Sequence, residues 1–134
     1  MKKVVTFGVF DYFHYGHLKL FERAKQFGDY LIVAVQDSEF ILKYKPETTI
    51  LYNTEQRVEL INALSVVDEV VVYTDVDKTI QEIDFDVFVK GEDQVHSGFV
   101  RASEYALSKG AEVEVLTRTK GISSTQIRTE LKKQ

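Results

Sequence analysis

Three features of the sequence predict an α/β fold built on a doubly wound parallel sheet. Short runs of apolar and β-branched residues alternate along the chain with segments of helical period, which is the pattern of parallel strands joined by helices. The first run, at residues 4–7, is almost continuously apolar, as expected of a strand that is buried on both faces. The length of 134 residues fits one domain, which would bury about two thirds of its unfolded surface.

The elements follow in a regular order along the chain. Strands are predicted at residues 4–7, 30–35, 67–73, 86–89 and 112–115, the last with the alternating polarity of an edge strand. Helices are predicted at residues 16–27, 53–64, 77–82, 99–109 and 124–132, the second opening on the capping-box spacing of Asn53 and Gln56. Residues 37–53 are polar and are expected to form a long irregular loop. The prediction is a single Rossmann-like domain with about five parallel strands and helices on both faces.

Composition argues against several classes of function. The 21 acidic and 17 basic residues give a net charge of −4, which disfavours nucleic acid as a partner. The absence of cysteine excludes disulfides and thiolate catalysis. No apolar run reaches the roughly 18 residues of a membrane helix, and the start of the chain resembles a strand more than a signal peptide. We therefore expect a cytoplasmic protein without membrane insertion.

The segment after the first strand, GVFDYFHYGH at residues 8–17, is the first candidate site. In a doubly wound sheet, ligands bind beyond the carboxyl ends of the strands. His14 and His17 would lie there at the start of a helix, where imidazoles can donate hydrogen bonds to phosphate oxygens and stabilise developing charge. The local alternative is that His14 caps the helix and His17 is solvated. A zinc site is disfavoured because no acidic zinc motif accompanies the two histidines.

The second candidate site is RTKGISSTQIR at residues 118–128, after the fifth strand. Its three consecutive hydroxyls at a helix start can bind phosphate together with backbone N–H groups, and Arg118 adds a planar bidentate donor. Ser123 and Gln126 also have capping-box spacing, and this role is compatible with phosphate binding. The P-loop, the dinucleotide-binding glycine motif and the hydrolase nucleophile motif are all missing.

Both segments resemble signatures of a known family. GVFDYFHYGH resembles the HxGH signature of the nucleotidylyltransferase superfamily, and RTKGISST resembles the RTxGISTT signature of its cytidylyltransferase branch. The similarity extends over residues 1–134 and includes FERAKQFGDYLIVAVQDSEF and DVFVKGED. This resemblance implies transfer of CMP from CTP to a small phosphorylated alcohol, most closely glycerol 3-phosphate, with Mg²⁺ as cofactor and pyrophosphate as leaving group. It also implies a homodimer that serves cell-surface polymer or lipid-precursor synthesis.

The resemblance also implies roles for individual residues. The catalytic set would be His14, His17, Arg118 and Lys43. The nucleotide-binding set would be Val9, Phe10, His14, His17, Lys45, Arg57, Asp93, Arg118, Thr119, Gly121, Ile122, Ser123, Ser124 and Thr125. The acceptor-binding set would be Lys43, Lys78 and Asp11. No side chain is expected to be a metal ligand, because the substrate phosphates would hold most of the magnesium.

The acceptor is the least determined part of this expectation. The chain has no tryptophan, whereas the enzymes that it most resembles carry one where this sequence has Gln94. Phosphoethanolamine and phosphocholine therefore stay open, and a cationic head could use Glu92, Tyr12 or Tyr15 as a wall. An adenylyltransferase of the same fold, similar to FAD synthetase, and a non-catalytic nucleotide-binding module are further alternatives.

Overall fold

Five parallel strands form one sheet in the order β3-β2-β1-β4-β5. The computed structural model describes residues 1–117. Its strands are β1 (Lys3–Gly8), β2 (Tyr30–Gln36), β3 (Glu69–Tyr73), β4 (Val87–Gly91) and β5 (Glu112–Leu116). The chain runs outward from β1 to β3 and then crosses back to β4 beside β1, so the strand order reverses between β1 and β4. This reversal confirms the predicted doubly wound sheet and places a ligand crevice at the carboxyl end of β1.

Helices connect the strands. They are α1 (Tyr15–Lys25), α2 (Ser38–Tyr44), α3 (Thr54–Asn62), α4 (Val76–Thr79), followed by a 3₁₀ turn at Ile80–Glu82, and α5 (Ser97–Ser108). The capping box of α3 is confirmed, because Asn53 and Gln56 exchange side-chain to backbone hydrogen bonds of 2.8 and 3.0 Å. Along residues 1–117, no helix combines the length and the apolar character that a membrane crossing requires. The helix predicted at residues 124–132 lies outside the described residues.

The prediction of an irregular loop over residues 37–53 is wrong for its first half, where α2 forms. Asp37 caps this helix by accepting a hydrogen bond from the Phe40 amide at 3.1 Å. Ile41 is the buried residue of this helix, so tertiary packing holds a segment that is too short to show a clear helical period.

The sheet carries a separate apolar layer on each face. Successive strand residues point to opposite faces, and Val4 and Val5 of β1 are both fully buried. One layer joins the strands to α1 and α3 through Val4, Leu31, Val33, Val35, Val87, Val89, Phe21, Ala24 and Ile61. The other joins them to α4 and α5 through Val5, Phe7, Ile32, Ala34, Phe88, Val76, Phe99, Ala102 and Ala106. The prediction of helices on both faces is therefore confirmed.

Gly28 offers a test of this packing. A Cβ at this position would lie 2.6 Å from the Lys2 carbonyl oxygen and 2.8 Å from a methyl group of Val4. The Lys2 carbonyl cannot move freely, because it accepts hydrogen bonds from the amides of Asp29 and Tyr30. We expect Gly28→Ala to lower the free energy of unfolding by about 1–3 kcal/mol, the usual cost of overpacking.

Urea denaturation measures this change. Gln26→Ala is the matched control, because Gln26 is exposed two residues earlier, and its effect should stay within about 0.5 kcal/mol. Equal stability of the two variants would contradict the close approach of Gly28 to Lys2 and Val4.

Candidate active site

The loop after β1 has an unusual backbone. Phe10 and Tyr12 both adopt the left-handed conformation, with φ of 56° and 50°, which costs about 1–3 kcal/mol for each non-glycine residue. Asp11 lies between them and is buried, and its two carboxylate oxygens accept hydrogen bonds from the amides of Leu51 at 2.7 Å and Tyr52 at 3.0 Å. The strained loop is therefore anchored to the segment that precedes α3.

Arg57 of α3 also holds the loop after β1 in place. Its side chain is 1% exposed, and its guanidinium donates to the carbonyls of Tyr52, Val9 and Gln36 at 2.8–3.1 Å and to the Ser38 hydroxyl. Burial lowers the pKa of Arg57, while the nearby charges of Asp11 and Asp37 act in the opposite direction. One side chain thus joins the ends of β1 and β2, the start of α2 and the loop before α3.

His14 and His17 form a stacked pair at the start of α1. Their ring centroids are 3.9 Å apart and their planes differ by 19°. The Nδ1 atom of His14 accepts a hydrogen bond from the Gly16 amide at 3.0 Å, and Nδ1 of His17 accepts from the His14 amide at 3.3 Å. Both neutral rings therefore carry their proton on Nε2, which leaves two N–H donors side by side at the carboxyl end of β1. The helix-capping alternative for His14 is also correct, and it is compatible with this arrangement.

The electrostatics keep the pair neutral. Burial, together with the charge of His14, lowers the pKa of His17 to about 3, and burial also lowers the pKa of His14. The His17 ring is surrounded by aromatic groups, with Phe10 and Phe13 each at a centroid distance of 5.5 Å. At neutral pH these imidazoles are hydrogen-bond donors rather than cations.

A cavity of about 600 Å³ opens beside the histidine pair. Phe10 lies between the two, because its ring contacts His17 and also lines the cavity. The lining comes from the loop after β1, the end of β2, α2 with the loop that follows it, and the loop before α5. These residues are Val9, Phe10, Asp11, Gln36, Phe40, Ile41, Tyr44, Lys45, Thr48, Ile50 and His96.

The structure brings part of the predicted site together. Val9, Phe10, Asp11 and Lys45 line the cavity, and Arg57 lies behind it. Asp93 follows β4 at the strand reversal, with a carboxylate oxygen 2.9 Å from where a Cβ on Gly91 would lie. The predicted residues after β5 lie outside the described residues: Arg118, Thr119, Gly121, Ile122, Ser123, Ser124 and Thr125.

Two predicted lysines do not line this cavity. Lys43 lies on α2 with its ammonium 5.6 Å from the centre of the Tyr44 ring. Lys78 is 79% exposed and forms an ion pair with Asp75 at 3.5 Å. In this structure both are surface cations, and Lys45 is the lysine that lines the cavity among the described residues.

Sequence reasoning missed two residues of this region. Gln94 accepts a hydrogen bond from the Gly91 amide at 2.9 Å and donates one to the Phe7 carbonyl at 2.7 Å, so it ties β4 to β1 at the strand reversal. His96 lines the cavity although it is remote from the histidine pair in sequence. The one feature of the sequence that pointed to Gln94 is that it stands in place of an expected tryptophan. No feature of the sequence pointed to His96.

The family model described as "Cytidylyltransferase-like" matches residues 5–130 of the chain. The chain belongs to the cytidylyltransferase-like family. The identification made from the GVFDYFHYGH and RTKGISST segments is therefore confirmed.

Relatives of this cytidylyltransferase-like protein that are named glycerol-3-phosphate cytidylyltransferase match it over nearly their whole length. A glycerol-3-phosphate cytidylyltransferase of Bacillus spizizenii is 42% identical, with 98% of each chain covered. One of Staphylococcus aureus is 38% identical and covers 98% of this chain and 96% of its own. A solved structure, the lipopolysaccharide core biosynthesis protein of Thermoplasma volcanium, superposes with a TM-score of 0.72 at 27% identity, over 91% of this chain and 99% of its own.

Replacing the buried guanidinium of Arg57 should destabilise the protein. In Arg57→Lys the ammonium cannot reach the three carbonyls and the hydroxyl together, and each buried acceptor left unpaired costs about 1–3 kcal/mol. We expect the free energy of unfolding to fall by at least about 2 kcal/mol in urea denaturation. Arg101→Lys is the control, because Arg101 is 57% exposed and bonds only to Asp77 among residues 1–117; its loss should stay below about 1 kcal/mol. A similar small loss in both variants would show that Arg57 does not join these segments.

The depressed pKa of His17 makes stability depend on pH. Folded His17 titrates at about 3 and the unfolded residue at 6.5, so the unfolded chain binds the proton first. Its contribution to stability is therefore complete above about pH 6.5 and is lost as the pH falls toward 3. We expect His17→Asn, which cannot titrate, to lose less stability than the wild type between pH 7.5 and pH 5 in urea denaturation. A pH-independent difference between the two proteins would contradict a neutral, buried His17.

Proposed function

We propose that this protein is a cytidylyltransferase that transfers CMP from CTP to glycerol 3-phosphate and releases pyrophosphate. The observation that carries the proposal is the stacked, neutral pair of His14 and His17, which presents two Nε2–H donors where the strand order reverses. The relatives named glycerol-3-phosphate cytidylyltransferase, at about 40% identity over the full length, support both the nucleotide and the acceptor.

In the proposed reaction, a phosphate oxygen of the acceptor attacks the α-phosphorus of CTP. A new P–O bond forms, the bond to the β-phosphate oxygen breaks, and the bond electrons leave with pyrophosphate. Because the attacking oxygen is already ionised, the step needs no nucleophilic side chain. The protein contributes orientation and charge stabilisation.

The two histidines stabilise the charge that develops at the α-phosphate and on the leaving group. Each Nε2–H donates a hydrogen bond to a phosphoryl oxygen, and each ring is oriented in advance by the backbone bond at its Nδ1. A donor that is already aligned does not have to reorganise as the transition state forms. Arg118, Thr119 and residues 121–125 are proposed to bind the nucleotide and its β- and γ-phosphates.

The cavity beside Phe10 is proposed to take the acceptor. Lys45 is the cation in its lining and attracts the acceptor's phosphate toward the histidine pair. Val9 and Phe10 belong to the wall of this cavity nearest His17, where the acceptor's phosphate is proposed to meet the nucleotide. Asp11 and Arg57 act by positioning this wall, since their polar atoms bind backbone groups of the surrounding loops.

Magnesium is proposed as the cofactor. Among residues 1–117, no three His, Asp or Glu side chains are grouped as metal ligands, and Mg²⁺ commonly binds through substrate phosphates with few carboxylates. When bound, it would neutralise charge on the triphosphate and the leaving pyrophosphate. We further propose that the enzyme is a cytoplasmic homodimer and that its CDP-alcohol product enters cell-surface polymer synthesis.

Pyrophosphate release tests the function directly. CTP, ATP, UTP and GTP are each paired with glycerol 3-phosphate, phosphoethanolamine and phosphocholine in the presence of Mg²⁺. We expect turnover that selects CTP and glycerol 3-phosphate. Selective turnover with ATP would instead indicate an adenylyltransferase, and nucleotide binding without pyrophosphate release would indicate a binding module.

The histidine donors are tested by His14→Asn and His17→Asn. Asparagine at position 14 keeps a side-chain acceptor for the helix cap but has no donor in the place of Nε2. Each variant should lose about 10²–10³ in turnover, the usual cost of a preorganised transition-state donor. Lys19→Ala is the control on the same helix, because Lys19 pairs with Glu22 at 3.0 Å, and it should turn over like the wild type. Loss of less than about tenfold in both histidine variants would refute the proposed role.

A further inference from the structure

His96 lines the cavity from the side of β4. The other lining residues come from the loop after β1, the end of β2, and α2 with the loop that follows it. Since β2 and β4 flank β1 in the sheet, Lys45 and His96 approach the cavity from opposite sides of the β1 loop. If Lys45 holds the phosphate of the acceptor, as the proposed function has it, His96 faces the remaining part of that molecule.

Local contacts fix the orientation of the His96 ring. Its Nδ1 accepts a hydrogen bond from the Gly98 amide at 3.1 Å, and Phe99 packs edge-on against the ring at 4.7 Å. A Cβ on Gly98 would lie 2.9 Å from the ring, so this glycine leaves the space that the ring occupies. With Nδ1 used as an acceptor, a neutral His96 carries its proton on Nε2. Within residues 1–117 the structure gives this N–H no protein partner.

The charges around the cavity disfavour a cationic ligand. Lys45 is itself a cation in the lining, and Lys43 already stands over the Tyr44 ring. Asp11 is the only carboxylate among the described lining residues, and both of its oxygens accept backbone hydrogen bonds. The side chains that sequence analysis offered as a wall for a cationic head are not part of this lining: Tyr12, Tyr15 and Glu92.

We propose, on the basis of the function proposed above, that His96 is a specificity-determining residue for the acceptor. Its Nε2–H donates a hydrogen bond to a hydroxyl oxygen on the tail of a phosphorylated polyol. A hydroxyl accepts such a bond, whereas an ammonium or trimethylammonium group has no lone pair to offer. The enzyme therefore distinguishes polyol phosphates from amino-alcohol phosphates through one oriented donor as well as through the charge of the cavity.

Two substitutions separate this role from helix capping. His96 is also the N-cap of α5. His96→Asn keeps an N-cap acceptor but is too short to place a donor where Nε2 stands. His96→Gln weakens the cap, but its side-chain amide nitrogen reaches roughly the position of Nε2. Of the two variants, His96→Asn should therefore unfold at the higher temperature, and His96→Gln should bind the acceptor more tightly.

The experiment measures steady-state kinetics with CTP and Mg²⁺ for wild type and both variants. In His96→Asn we expect the KM for glycerol 3-phosphate to rise about five- to tenfold, the effect of one neutral hydrogen bond. The KM for CTP should stay unchanged, and kcat should change by less than about twofold, because the bond is made equally in ground and transition states. The preference for glycerol 3-phosphate over phosphoethanolamine should shrink by the same factor. His96→Gln should recover most of the lost affinity.

The outcomes distinguish this inference from the function on which it rests. Wild-type turnover of glycerol 3-phosphate with an unchanged acceptor KM in His96→Asn overturns the inference and leaves the function standing. Equal acceptor losses in His96→Asn and His96→Gln overturn it as well, because they point to ring packing alone. Wild-type preference for phosphoethanolamine or phosphocholine overturns the polyol selectivity. Failure of the wild type with every nucleotide and acceptor overturns the proposed function and the inference together.

Discussion

The buried guanidinium of Arg57 is the interaction on which the site depends. It bonds to the carbonyl of Gln36 at the end of β2 and to that of Val9 just after β1. It also bonds to the Ser38 hydroxyl and to the Tyr52 carbonyl. A parallel sheet leaves the carboxyl ends of its strands without partners, and their carbonyls need donors when the site excludes water. Arginine supplies several donors from one rigid plane, so a single residue of α3 satisfies them.

That interaction explains how the loop after β1 can hold a strained backbone. Phe10 and Tyr12 have positive φ without being glycine, and such conformations persist only where the surroundings determine them. Arg57 holds Val9, the residue before Phe10. Asp11, the residue between Phe10 and Tyr12, is held through its carboxylate by the amides of the segment before α3. The strain turns the Phe10 ring back over Gly8 and against His17. The position of the histidine pair therefore follows from contacts made well outside α1.

The sequence was sufficient for the fold and for part of the site. Val4 and Val5 are both apolar because helices cover both faces of β1, and that pattern is visible without coordinates. His14 and His17 could be placed because they follow a strand and lie at the start of a helix. His96 could not be placed, because only the strand order brings the start of α5 to the cavity.

Gln94 likewise looks like any polar loop residue until both of its hydrogen bonds across the strand reversal are seen. Lys43 and Lys45 both lie at the end of α2. Only the three-dimensional arrangement shows that Lys43 is on the surface and that Lys45 lines the cavity.

The burial of the histidine pair has a consequence for kinetics. Burial lowers the pKa of His14 and, together with the charge of His14, lowers that of His17 to about 3, so His17 has no proton to gain in the range where enzymes are usually assayed. A phosphate monoester, by contrast, takes up its second proton near pH 6. In a reaction whose nucleophile is a phosphate oxygen, protonation of the acceptor then contributes to the acid limb of the rate profile, and protonation of His17 does not.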